Sequence, residues 1–248
     1  FFYPSMGVIG LGIGVVIGAI LHMLIQLPVL YSHSFAPAVV KSVDKKLLKE
    51  VVLLSLPRTL GLSLNSLALL VLIAIASMMD EGSISIFSFA YNLQAVPISI
   101  IGVSYSVAAF PTLAKAFSLG KLDEFRHSIM TSMRQIIFWS MPVIVLFVVL
   151  RAQIVRVILG TGRFTWDDTR LTAAALALFA FSVVAQSLIV LLTRGYYAAG
   201  RTNRPLVVNI VFTLSEILFA FGFLMLYDKV PFFAHFLDSL LRVDGIEG

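Results

Sequence analysis

Ser83–Ala114 reads SISIFSFAYNLQAVPISIIGVSYSVAAFPTLA, 32 residues without one Asp, Glu, Lys or Arg. Water-soluble helices are not built this way. About 20 predominantly apolar residues cross the ~30 Å hydrocarbon core of a bilayer. The run is long enough to cross, and it has company. Met6–Val29, Thr59–Met79, Gln135–Leu150, Leu171–Thr193 and Pro205–Tyr227 are similar stretches. Their number predicts an all-α, polytopic transmembrane helix bundle with six membrane helices. Strands are excluded because an open sheet would leave backbone N–H and C=O groups unpaired in lipid.

Composition agrees. Apolar residues make up 59% and charged residues 12% of the 248, against roughly 45–50% and 25% in ordinary globular chains. The net charge of +5 does not argue for nucleic acid, because the Lys and Arg residues lie between the apolar runs. There is no cysteine, so disulfides and thiolate metal sites are out. The chain starts at Phe1 and enters an apolar run without a basic n-region. A truncated start is expected rather than a signal peptide.

The spans are expected at about Met6–Val29, Lys49–Met79, Ser83–Ala114, Phe125–Leu150, Asp167–Ala199 and Asn203–Tyr227. Glycines at 7, 10, 12, 14 and 18 suit close packing of the first. Positive charge then orients them. The connections Ser32–Glu50, Lys115–Arg134 and Arg194–Arg204 hold eleven Lys and Arg. Those at Asp80–Gly82, Arg151–Arg170 and Asp228–Gly248 hold six, with Arg58 left inside the second span. The first set is expected on the cytoplasmic side. Ser42–Leu54 and Val230–Leu241 mix apolar and charged residues as interfacial segments do, or as helix ends and packed loops do. Trp139 and Trp166 read as interface anchors.

Enzyme chemistry finds little support. The four histidines are scattered, no HExxH or GxSxG occurs, and no acidic cluster suggests a metal. Polar residues inside the spans say more, since burying them in lipid is costly. Asn209, Thr213 and Glu216 share one face of the sixth span at i, i+4, i+7. They are read either as the site of a coupling proton or cation or as packing with a hydrogen-bonded carboxyl. Arg58, followed by Asn65 and Ser66, either meets an anionic head group or snorkels to the interface. Asn92 and Gln94 precede Pro97, which permits a bend, and bent helices suit a transporter that rocks between two states. Gln186 reads as packing between helices.

Phe87–Pro97 (FSFAYNLQAVP), Ile101-Gly102-Val103 and Ala109–Leu113 (AFPTL) resemble the seventh-to-eighth helix signature of the MurJ (MviN) lipid II flippases of the MOP superfamily. Other segments resemble that family in order: Gly18–Leu30 with Gln26-Leu27-Pro28, Pro57 with Leu60-Gly61, Gly160–Asp168 with Gly162-Arg163-Phe164-Thr165, and Arg194–Pro205. The resemblance implies the sixth to eleventh helices of a roughly fourteen-helix protein. It implies residues 1–31 as the last helix of a first lobe and 32–50 as a cytoplasmic linker. Residues 51–228 become the second-lobe bundle and 229–248 an extracytoplasmic amphipathic tail. The implied activity is alternating-access flipping of lipid II, the lipid-linked peptidoglycan precursor, across the bacterial cytoplasmic (inner) membrane. Asn92 and Ala95 stand where the family often carries an arginine and an acidic residue.

The expected site is thus a substrate cavity of Arg58, Asn65, Asn92, Gln94 and Glu216, a coupling-ion set of Asn209, Thr213 and Glu216, and a hinge at Pro97 and Gly102. No metal and no cofactor is expected; transport would draw on the membrane potential or a cation gradient. Expected partners are a lipid-linked substrate, membrane lipids and the first lobe of the same protein, with no nucleic acid. The alternatives are an oligosaccharide-lipid exporter, a cation-coupled multidrug extruder, or a non-transporting membrane scaffold.

Overall fold

The computed structural model describes residues 8–32, 44–79, 81–162 and 164–241. All regular structure among them is helical. In chain order the helices are α1 (Val8–Ser32), α2 (Lys45–Ala76), α3 (Ser83–Pro97), a π-helical segment (Ile98–Val103) and α4 (Ser104–Ser118). Then come α5 (Leu122–Val149), α6 (Arg151–Leu159), α7 (Trp166–Ala198), α8 (Asn203–Lys229) and α9 (Pro231–Leu241).

Five stretches are long and apolar enough to cross a bilayer: Lys45–Ala76, Ser83–Ser118, Leu122–Val149, Trp166–Ala198 and Asn203–Tyr227. The first expected span appears as the shorter apolar stretch Gly12–Pro28 within α1, residues 1–7 lying outside the described ones. Apolar side chains such as Leu70, Val145, Phe181 and Leu218 are exposed. In a bilayer that surface faces acyl chains, which are as apolar as leucine itself.

The chain forms two compact units, residues 1–50 and 51–248. The first contains α1, where a Cβ added at Gly12, Gly14 or Gly18 would meet nothing within 4 Å. The second is organised around α7. This helix buries Thr169, Ala173, Leu176, Ala180, Val183, Ser187, Leu191 and Gly195 at successive three- and four-residue steps. Small side chains along one stripe let neighbouring backbones approach closely, the main source of helix adhesion where water is absent. Against that stripe pack α3, the π segment, α4, α5 and α6.

One difference from the sequence reading has a local cause. The connection Arg151–Arg170, expected as a loop, contains α6. Its Val155 is fully buried with Ala90, Ala173 and Leu176, and Phe147, Ile154 and Phe164 pack round them. That apolar contact, not length, holds a nine-residue helix that would be marginal alone. Ser42–Leu54, read as an interfacial segment or as a helix end or packed loop, is from Lys45 onward the first part of α2, with Ser42 and Val43 outside the described residues.

The ends of α7 are set by capping. Thr165 accepts from the backbone N–H of Asp168 at 3.2 Å, and the Asp168 carboxylate accepts from the Thr165 N–H at 2.8 Å. This reciprocal pair satisfies donors that the first turn of α7 would otherwise leave open. At its other end, Gly200 (φ 67°) donates to the Tyr197 carbonyl and Arg201 to that of Tyr196, both at 3.0 Å. The left-handed backbone at Gly200 turns the chain directly into α8.

Candidate functional site

Proline lacks the N–H that would bond the carbonyl four residues earlier, so Pro97 weakens the ladder inside a long helix. The chain responds with a π-helical turn, Ile98–Val103, immediately after it. Three serines hydrogen-bond carbonyls around the break: Ser99 to Ala95 at 2.8 Å, Ser104 to Ser99 at 3.3 Å and Ser106 to Gly102 at 2.5 Å. Serine back-bonding of this kind is how a broken ladder is repaired in lipid. Gly102 lies directly on α7: a Cβ there would fall 2.7 Å from Ser187 Oγ and 2.8 Å from Ser187 Cα and Cβ. The two expected hinge residues are therefore at either end of one irregular turn, pressed against the central helix.

Beside this turn, α2, α3, α7 and α8 border a partly open cavity of about 220 Å³. Its polar lining consists of Asn65, Tyr91, Gln186, Asn209 and Glu216; Leu69, Ile98, Val190 and Phe212 supply apolar wall. Among the described residues lining it there is one carboxyl group and no Lys or Arg. Such a surface offers amide, hydroxyl and carboxyl groups, which suit a cation, or a neutral group rich in hydroxyls and amides.

Four helices bring these side chains together because each carries its polar residue toward the same gap. Asn209 leans on α2, its amide donating to the Gly61 carbonyl at 3.4 Å, where a Cβ would meet that same amide at 3.2 Å. Gln186 donates to Ser182 at 2.9 Å, one turn back along α7. Tyr91 is held edge-on to Phe179, at 6.3 Å between ring centroids, and stacked on Phe87 at 6.0 Å.

The expected site residues are thus divided. Asn65, Asn209 and Glu216 line the cavity. Thr213 is buried beside them on α8, its hydroxyl without a hydrogen-bond partner among the described residues. Gln94 does not line it. At 1% exposure it is packed between α3 and α7, donating to the Phe179 carbonyl at 3.1 Å and also to Ser182. Asn92 is exposed on α3 and does not line the cavity either. Arg58 lies on α2 seven residues before Asn65, and its side chain is outside the described residues. Tyr91 and Gln186 were missed as lining residues. For Tyr91 a signal existed, since it stands within the quoted FSFAYNLQAVP stretch. For Gln186 there was none, because one amide in an apolar helix reads equally as packing.

Five membrane-length helices, four of which border a cavity with polar groups in its wall, define a polytopic helical membrane protein. The family model of the lipid II flippase MurJ matches residues 1–234, and the chain belongs to that family. Among curated relatives, each named a probable lipid II flippase MurJ, that of Bdellovibrio bacteriovorus is 32% identical over 202 residues, 82% of this chain and 39% of its own. That of Vibrio cholerae is 26% identical over 231 residues, covering 90% and 42%. That of Thermotoga maritima is 25% identical over 190 residues, covering 73% and 39%. The chain spans about two fifths of the length of these relatives. No solved structure matches it. Family and helices together place it in the bacterial cytoplasmic membrane as a multi-pass protein.

Proposed function

We propose that this chain is the second lobe of a flippase that carries lipid II across the cytoplasmic membrane by alternating access. The observation that carries the reading is the 220 Å³ cavity lined by Asn65, Tyr91, Gln186, Asn209 and Glu216 inside a bundle of the MurJ family. A flippase needs no covalent chemistry. It must hold a polar head group away from acyl chains in two states and release it from each. The first lobe, within the remaining length of the relatives, would face this wall across the passage.

Division of labour follows from charge. The lining residues that are described, Asn65, Tyr91, Gln186, Asn209 and Glu216, suit uncharged polar parts of the head group and a coupling cation, and Arg58 on α2 is the expected partner of an anionic group. Glu216, with the Asn209 amide and the Thr213 hydroxyl on the same face, forms the coupling-ion set. The irregular turn from Pro97 to Gly102 is the place where α3 and α4 change their angle as the lobe rocks. A membrane potential or cation gradient would supply the drive.

The test is complementation. The full-length protein, or a chimera carrying this lobe, is expressed in a bacterium depleted of its own lipid II flippase. Growth is expected with the native sequence and not with Glu216→Gln at equal membrane abundance. No rescue by the native protein, despite normal insertion, would count against the proposal.

A further inference from the structure

A chain of polar side chains runs from the buried α3–α7 contact to the wall of the cavity, with the Ser182 hydroxyl at its centre. Ser182 donates to the Phe179 carbonyl at 2.8 Å. A carbonyl only accepts and a serine hydroxyl has one proton, so that proton is committed. What remains on Ser182 is a pair of acceptor sites. Buried Gln94 takes one: its Nε2 donates to Ser182 Oγ and also to the Phe179 carbonyl, the latter at 3.1 Å. Gln186 takes the other, its Nε2 donating to Ser182 Oγ at 2.9 Å. With its proton and both acceptor sites engaged, Ser182 can hold only the NH2 end of the Gln186 amide. The Gln186 carbonyl oxygen has no hydrogen-bond partner among the described residues, and Gln186 lines the cavity.

Asn209, on α8, is tied down by the same end. Its Nδ2 donates to the Gly61 carbonyl at 3.4 Å, and a Cβ at Gly61 would come within 3.2 Å of that nitrogen. Its oxygen, too, has no partner among the described residues. An amide can offer a ligand a donor or an acceptor, depending on which end the protein holds. Here the protein holds both nitrogens, and Glu216 adds its carboxyl oxygens to the same lining.

We propose, on the reading of the cavity as a head-group site, that Ser182, braced by Gln94, is a positioning residue: it keeps the Gln186 amide turned with its oxygen to the cavity, so that the wall selects hydrogen-bond donors, the hydroxyl and amide N–H groups of a polar head group, over acceptors. Ser182 is not itself among the lining residues and acts through Gln186. An amide released from Ser182 can present either end, and it must then be ordered when the ligand binds, which weakens binding and blurs the choice.

Ser182→Ala, Gln186→Leu, the double variant and Ser182→Thr are each made in the full-length protein. Translocation in liposomes is followed against lipid II concentration. Ser182→Ala should raise the half-saturating concentration about fivefold, the worth of one oriented hydrogen bond. The maximal rate should stay within about twofold, as for a lost binding interaction. In the Gln186→Leu background no amide is left to orient, and the same substitution should change half-saturation less than about twofold. Ser182→Thr keeps the hydroxyl and should restore the native value. Equal effects of Ser182→Ala in both backgrounds, or a fall in maximal rate alone, would make Ser182 merely structural and overturn the proposal.

The amide is also read without transport, by NMR of protein made with nitrogen-labelled glutamine. The Gln186 signal is assigned by its loss in Gln186→Leu. Its NH2 protons should exchange with solvent at least about tenfold faster in Ser182→Ala than in the native protein. Equal exchange would overturn the proposal. Slow exchange in a native protein that fails to move lipid II would sink the lipid II reading and leave the positioning by Ser182 standing.

Discussion

Gly102→Ala adds one carbon where there is no room for it. The new Cβ would lie 2.7–2.8 Å from three atoms of Ser187, among them the backbone Cα. A flexible side-chain tip could move aside; a backbone atom of the central helix cannot without shifting α7 or the π turn. Overpacking of this kind costs ~1–3 kcal/mol, while Gly to Ala within a helix gains ~1 kcal/mol. The net is a loss of about 0–2 kcal/mol. Gly222→Ala isolates the packing term, because a Cβ at Gly222 meets nothing within 4 Å. Its gain in helix propensity should appear unopposed. Propensity cancels between the two variants, so Gly102→Ala should be ~1–3 kcal/mol less stable than Gly222→Ala. At ~2–4 °C per kcal/mol for a domain of this size, that is a gap of at least about 2 °C in the melting temperature. The assay is thermal unfolding of the purified protein in detergent, followed by size-exclusion chromatography with fluorescence detection. Adding Ser187→Gly removes two of the three offending atoms and should restore part of the loss, a coupling of ~0.5 kcal/mol or more. Equal melting of the two alanine variants, or strict additivity with Ser187→Gly, would refute the close contact at the π turn.

Three further outcomes are expected. Gln94→Leu removes a buried donor to Phe179 and Ser182 and should destabilise by ~1–3 kcal/mol in the same melting assay, whereas exposed Asn92→Leu should change stability little. Thr165→Ala opens the capping box of α7 at a cost of ~1 kcal/mol, which Thr165→Ser should largely recover. Single cysteines at Asn65, Gln186 and Asn209 should react with a small water-soluble thiol reagent at least about tenfold faster than cysteines at Leu70 or Val207, since a thiol in lipid ionises and reacts poorly; equal rates would mean that the cavity is not hydrated.

The spans were legible because bilayer thickness imposes a length and a composition that few other constraints produce. Each long helix lies where an uncharged or nearly uncharged run predicts it, and Pro97 announces the irregular turn. The interior was harder. Nothing in a list of polar residues says that Gln94 turns into the α3–α7 contact while Tyr91, three residues earlier, lines the cavity. Both are polar groups on one apolar helix, and only the neighbouring helix decides which is packed and which is wet. Helix α6 escaped notice for a related reason: its Val155 is held by Ala90, Ala173 and Leu176, contacts distant in sequence. The departure at Asn92 and Ala95 was visible from the residues, and neither of them lines the cavity.

The most direct measurement is translocation itself. The full-length protein is reconstituted into liposomes with lipid II in the inner leaflet, and its appearance outside is read by a membrane-impermeant enzyme that modifies the head group. The account expects outer-leaflet lipid II to rise with protein and with an imposed cation gradient or membrane potential, and to fall to the protein-free rate with Glu216→Gln. An unchanged rate with the native protein, or an undiminished one with Glu216→Gln, would contradict it.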